Sequence, residues 1–127
     1  MKILSDEQMN VLIENGKKIK EGNKQDIPSV VYLRFYNNPP SAWMLAAVEP
    51  DNHDLAFGLM QITDGTPELG YVSLKELEEI GVKHDPMFET ADKLSIYRYA
   101  QMAKDYGEIT LRITQKVTKD DLKHFSK

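Results

Sequence analysis

The sequence predicts an α+β domain: an antiparallel sheet of four to five strands with three or four flanking helices. Two stretches, after Ser5 and after Ser95, set apolar residues at helical spacing behind a capping hydroxyl. Between Ser29 and Thr63, three runs rich in β-branched and aromatic residues are separated only by short polar or proline-bearing turns. Strands joined so tightly pair antiparallel, because parallel neighbours need a crossover of about a dozen residues.

The first helix starts at Ser5. Its hydroxyl can accept from the amide three residues on while Gln8 reaches back, which makes a capping box. Met9, Leu12, Ile13, Gly16 and Ile19 then share one face, and Gly22 and Asn23 end the helix. From Ser29 the period shortens. SVVYLRFY reads as a strand, and NNPPS turns the chain because Pro39 and Pro40 lack amide donors. AWMLAAVE is apolar on both alternating faces, the pattern of a central strand. LAFGLMQIT repeats that pattern, and Gly58 inside it marks a bulge or the close approach of another backbone.

The segment TDGTPELGYVSLKELEEIG, Thr63 to Gly81, reads as a joint. Gly65 permits a positive φ and Pro67 fixes the exit from the turn. Leu69, Tyr71 and Val72 resume extended backbone, with Gly70 able to take an unusual angle. Ser73 and Glu76 form a second capping box, so the strand passes directly into a helix. Leu74, Leu77 and Ile80 are the buried side of that helix and Gly81 is its stop.

Beyond it, VKHDPMFETADK reads as extended, since Pro86 opposes helix at Asp85. SIYRYAQMAKDYG is a helix capped by Ser95, lined by Ile96, Tyr99, Ala100, Ala103 and Tyr106, and stopped at Gly107. EITLRITQKV alternates like a half-exposed edge strand, with Ile109, Leu111 and Ile113 inward. TKDDLKHFSK is a last short helix or a frayed end. Residues 1–127 therefore read as one domain.

Composition narrows the function classes. Cysteine is absent, which excludes disulfides, thiolate metal sites and cysteine nucleophiles and suits a reducing cytoplasm. The opening MKILSDEQMNVLIENG turns polar too soon for a secretory signal, and no apolar run is long enough to cross a membrane. The 20 acidic and 16 basic residues are mixed along the chain and leave a net charge of −4. No basic stripe emerges, which speaks against direct nucleic-acid binding. There is also no His-x-x-x-His pair, calcium loop, phosphate-cradling glycine run or Gly-x-Ser-x-Gly elbow. No metal or cofactor is expected.

Glu68 is the one residue of the joint without a folding task. One reading leaves it in solvent or on a turn. The sharper reading gathers Glu49, Asp64, Glu68, Tyr71, His84 and Asp85 into a polar site, where carboxylates and a histidine could hold a hard metal ion or share acid–base work. His53, His84 and His124 are too scattered to read as metal ligands. Trp43, Phe57 and Tyr99 fall at core positions. Tyr36, Tyr71, Tyr97 and Arg98 are candidates for a partner-binding patch, because aromatics with a polar tip are favoured at interfaces.

Trp43, Glu49, Phe57-Gly58-Leu59, Glu68-Leu69-Gly70-Tyr71, Ser73, Glu76-Leu77, and Asp85 followed by Phe88 together resemble domain-of-unknown-function family 2958, an uncharacterised bacterial family. The likeness covers about residues 30–95 and leaves a helix-strand-helix extension over 95–127. It implies a small α+β fold and a setting on plasmids, conjugative elements or phages. It supplies no activity and no catalytic residues. Members often carry Glu-Arg-Asp where this chain has Lys83-His84-Asp85, so only the aspartate matches.

The functional expectation is a non-enzymatic, cytoplasmic accessory protein that binds another protein, with homo-oligomerisation open. The competing classes are a small carboxylate- or metal-dependent hydrolase and an anti-defence or nucleic-acid-associated factor.

Overall fold

A computed structural model of the 127-residue chain describes residues 3–23, 27–37, 40–63 and 65–114. Helix α1 (Asp6–Lys20) opens as expected: Ser5 Oγ accepts from the Gln8 amide and Gln8 Oε1 accepts from the Ser5 amide. Strands β1 (Val31–Phe35), β2 (Ser41–Glu49), β3 (Asn52–Gln61) and β4 (Glu68–Ser73) then form an antiparallel meander. Helix α2 (Leu74–Ile80) leaves β4 and passes under the sheet to β5 (Lys83–His84), which pairs with β1 at the opposite edge. The strand order is β4-β3-β2-β1-β5. A 3-10 helix (Pro86–Glu89) and α3 (Ile96–Tyr106) complete the described elements.

Both faces of the sheet are covered, and the central strand shows it. Every residue of β2 from Ser41 to Val48 is buried. Leu12 of α1 and Leu74 and Leu77 of α2 pack with Leu33, Trp43, Leu45 and Val48 on one face. Ile96, Tyr99 and Ala103 of α3 pack with Tyr32, Met44, Ala46 and Leu59 on the other.

Gly58 marks both features that its position predicts. The β2–β3 register slips between Leu45 and Ala47, so Ala46 is the extra residue of a bulge opposite Gly58. A Cβ at position 58 would lie 2.0 Å from the Met44 carbonyl oxygen, so only glycine lets the two backbones meet. A bulge strands a carbonyl, and here it has a partner. Buried Asn15 of α1 donates from Nδ2 to the Ala46 oxygen at 2.8 Å and to the Pro28 oxygen at 3.3 Å. Gly16 allows that approach, because a Cβ there would sit 1.9 Å from the Val48 oxygen.

The joint after β3 departs from expectation in three details. Positive φ falls at Thr63 (58°), while Gly65 has ordinary backbone. Ser73 Oγ accepts from the Glu76 amide as predicted, but the closing contacts come from Asp54 of β3 and not from a returning Glu76 side chain. Asp54 Oδ2 accepts from Ser73 Oγ at 2.6 Å and its Oδ1 accepts from the Lys75 amide at 2.9 Å. A carboxylate anchored on the neighbouring strand serves the first turn of α2 better than a flexible glutamate on the helix itself, and it complements the helix dipole. Ile80, predicted buried, is exposed, because the seven-residue α2 has already reached the end of its contact with the sheet.

Later segments hold further corrections. Only Lys83–Asp85 of the predicted extended stretch stays extended. Asp85 Oδ1 accepts from the Met87 amide and starts the 3-10 helix at Pro86, a residue well suited to a first helical position. Tyr106 points into solvent although its period places it with Ile96 and Tyr99, since the last turn of α3 overhangs the core. The predicted strand over EITLRITQKV forms no ladder over 109–114. Ile109 and Leu111 turn onto the α3-side core, while Ile113 is exposed. The segment is held instead by Asp92 and Tyr99: the Asp92 amide donates to the Arg112 oxygen, and the Arg112 amide to Tyr99 Oη. Alternation suits a chain lying on a helix as well as one in a sheet. The predicted last helix, with His124, lies outside the described residues.

Candidate functional site

The aromatic candidates are assembled by the sheet register and by α3. Tyr71 of β4 pairs with Phe57 of β3. Their ring centroids are 5.2 Å apart, and the Tyr97 ring of α3 lies 6.3 Å from that of Phe57. Burial, with a smaller contribution from neighbouring Tyr71, raises the Tyr97 hydroxyl above its ordinary pKa. Leu69 points to the same face two residues before Tyr71. Leu69 is 37% exposed and Tyr71 is 51% exposed, so α3 covers β2 and β3 but stops short of β4. Arg98 is exposed beside Tyr97 on α3. Tyr36 lies elsewhere, beyond the end of β1.

The polar candidates do not converge. Glu68 and Tyr71 are on β4, while His84 and Asp85 are at the β5 edge, with three strands between them. Glu49, at the end of β2, shares with Tyr71 only a shallow depression of about 10 Å³ beside Gly16 and Ile19. Asp64 lies outside the described residues. His84 Nε2 is 2.6 Å from the Ile3 carbonyl oxygen, a contact that ties the chain's start to β5. Among the described residues no group of three or more histidines and acids is placed to hold a metal ion.

Two clefts meet at the β1 end of the sheet. One, of about 530 Å³, is lined by Tyr32, His84, Asp85, Phe88, Glu89 and Lys93 among others. The Lys93 ammonium lies 3.8 Å from the centre of the Phe88 ring and donates to the Phe88 and Ala91 carbonyl oxygens, and burial lowers its pKa. The other cleft, of about 280 Å³, opens between Tyr32, Arg34, Ser41, Gln61, Thr63 and Glu108.

Tyr32 lines both, and Arg34 lines the smaller one and reaches Asp85 of the larger. Its Nη1 donates to Asp85 Oδ2 at 3.2 Å, and its guanidinium carbon lies 5.6 Å from the Tyr32 ring centre and 5.4 Å from that of Tyr36. Asp85 thus has two structural tasks, starting the 3-10 helix and orienting the arginine. Burial, ahead of the neighbouring charges, raises the Tyr32 hydroxyl pKa.

Arg34 is a residue that sequence reading missed. A lone arginine in a strand reads as a solvent-facing side chain. The available signal was Tyr32-x-Arg34-x-Tyr36, three side chains that a period of two must stack on one face.

The sequence model of a family described as "Protein of unknown function (DUF2958)" matches residues 3–110, a span that takes in α1 and α3 as well as the sheet. No curated protein and no solved structure matches the chain. No helix among the described residues is long and apolar enough to cross a membrane. The chain therefore belongs to the DUF2958 family, a family of unknown function.

Proposed function

We propose that the protein is a non-enzymatic binding module that takes an extended segment of another protein along the outer edge of β4. The observation that carries this reading is the edge itself. β4 ends the sheet with six residues in unbroken register, and Leu69 and Tyr71 stand uncovered beside Phe57 and Tyr97. Edge strands are normally guarded by lysine, proline, a bulge or extreme shortness. ELGYVS has none of these and only one charge, Glu68. An added strand draws affinity from backbone hydrogen bonds and specificity from alternate side chains. Here Leu69 and Tyr71 would read the partner. A cytoplasmic setting, suggested by the cysteine-free sequence, and a mobile-element setting, implied by the family resemblance, belong to the same proposal. So does a homo-oligomer paired through this edge.

The enzyme alternative has less support, because Glu68 and Asp85 occupy opposite edges and share no pocket. A nucleic-acid or anti-defence role would act through the same protein contact.

The test places a photoreactive benzoylphenylalanine at position 71 in producing cells, with the same group at position 83 as the control edge. The expected result is one defined protein crosslinked from 71 and not from 83, lost when Leu69→Lys is added. A crosslink to a second copy, with a matching dimer in sedimentation, identifies the homo-oligomeric form. Equal or absent crosslinking from both positions would overturn the reading.

A further inference from the structure

Gly70, in the middle of β4, is a glycine that the chain's own fold does not require. Its φ is not positive, and a Cβ there would meet only Met60 Sδ and Cε at 3.6 Å, an ordinary contact. Gly58, its partner on β3, is fixed by a carbonyl oxygen 2.0 Å from the equivalent point. Glycine weakens a strand, and where nothing internal calls for it, it often marks the approach of another backbone.

A strand that pairs antiparallel with its own copy does so about a two-fold axis. With the axis perpendicular to the sheet, residues of one face meet residues of the same face. When Gly70 lies on the axis, Leu69 faces Tyr71 of the second copy and Glu68 faces Val72. Moving the axis to Tyr71 sends Leu69 opposite Ser73, and moving it to Leu69 sends Tyr71 opposite Pro67. Only the Gly70 register pairs the two uncovered side chains with each other. The ladder then stops where Pro67, which has no amide to donate, falls opposite Ser73.

This register extends rows that the single chain begins. Phe57 is the cross-strand neighbour of Tyr71, and Leu59 of Leu69, on the α3 face. Across the axis one row becomes Phe57 and Tyr71, followed by Leu69 and Leu59 of the second copy. Aromatic and aliphatic side chains set side by side in this way stabilise a sheet. Glu68 is the strand's single charge, and the two copies of it stand about 13 Å apart along the strands, so they do not oppose each other.

We infer, building on the strand-addition reading, that a second copy of this chain covers the β4 edge in this register until the other protein's segment displaces it. Pairing from Glu68 to Val72 is a small contact, so it dissociates on dilution and leaves the edge open to exchange.

The chain has no cysteine, so a single introduced one reports the register. Gly70→Cys should form a disulfide-linked dimer under mild oxidation, because the axis sets the two Cβ carbons opposite each other. Leu69→Cys and Tyr71→Cys should not link alone but should link when mixed. Lys83→Cys, on the β5 edge, is the control and should not link. Sedimentation of the unaltered chain should show a dimer that dissociates on dilution, and Leu69→Lys should weaken it at least tenfold. A chain that is monomeric at every concentration overturns the inference. So does a dimer that Leu69→Lys leaves intact, or equal linking of all the cysteine variants. A monomeric chain that still crosslinks another protein from position 71 removes the second copy and keeps the strand-addition reading.

Discussion

The two edges of the sheet are finished in opposite ways. β5 has two residues, both charged or titratable, and the chain leaves it at once through Asp85 and Pro86. Beyond it, Arg34 donates to the Asp85 carboxylate and Lys93 donates to the Phe88 and Ala91 carbonyl oxygens. β4 has six residues, one charge and an apolar outer face. The difference lies in how much open strand each edge presents. At β5 the edge is only two residues long, and at β4 six residues of edge are left available.

The comparison breaks most severely if β4 loses its support. β4 rests on β3, and β3 reaches β2 only because position 58 has no Cβ. Gly58→Ala should destabilise the protein by about 3 kcal/mol, since the added carbon meets backbone that cannot step aside. Chemical denaturation measures this. A loss below about 1 kcal/mol would mean that the strands can part without cost.

The next effect loosens the other edge at the point where the chain leaves it. The Asp85 side chain is only 10% exposed and carries both the Arg34 contact and the start of the 3-10 helix. Asp85→Ala should cost about 2 kcal/mol. Hydrogen exchange should rise at Lys83 and His84 while β4 is unchanged. Equal loosening of both edges would show that they are not independently built.

A smaller effect belongs to the end of β4. Hydrogen bonds from Ser73 and then the Lys75 amide hold the Asp54 carboxyl below its ordinary value of 3.8. Its contribution to stability is therefore complete above that ordinary value and fades as the pH falls through the lower folded one. Asp54→Ala should cost about 1 kcal/mol at neutral pH, and the gap from the parent protein should close in acid. A gap that stays constant with pH would remove the carboxylate from the cap.

The smallest stability effect is expected where the functional effect is largest. Leu69→Lys and Tyr71→Lys change exposed side chains and should alter stability by no more than about 0.5 kcal/mol. Leu69→Lys should abolish crosslinking from position 71. A large loss of stability would make these residues part of the core.

Much of this architecture was readable from periodicity and turn chemistry. AWMLAAVE is apolar on both faces because helices cover both, and Gly58 announced the close backbone contact it makes. The serine caps were legible too, since capping is a matter of residues three apart. What could not be read was long-range. Nothing local tells that α2 carries the chain under the sheet, and so Glu68 and Asp85 seemed near each other in sequence while the fold sends them to opposite edges. For the same reason Asp54 at the α2 cap and Arg34 between two tyrosines were invisible as partners. The segment from Ile109 misled in another way. Its alternation records one side buried and one side wet, a pattern that packing against α3 satisfies without any strand pairing.

The most direct measurement compares backbone hydrogen exchange at residues 68–73 and 83–85, for the isolated protein and for the protein bound to whatever position 71 crosslinks. Strong new protection confined to β4, with β5 unaltered, is the predicted result. Binding that leaves the β4 amides exchanging as fast as before would contradict strand addition at this edge.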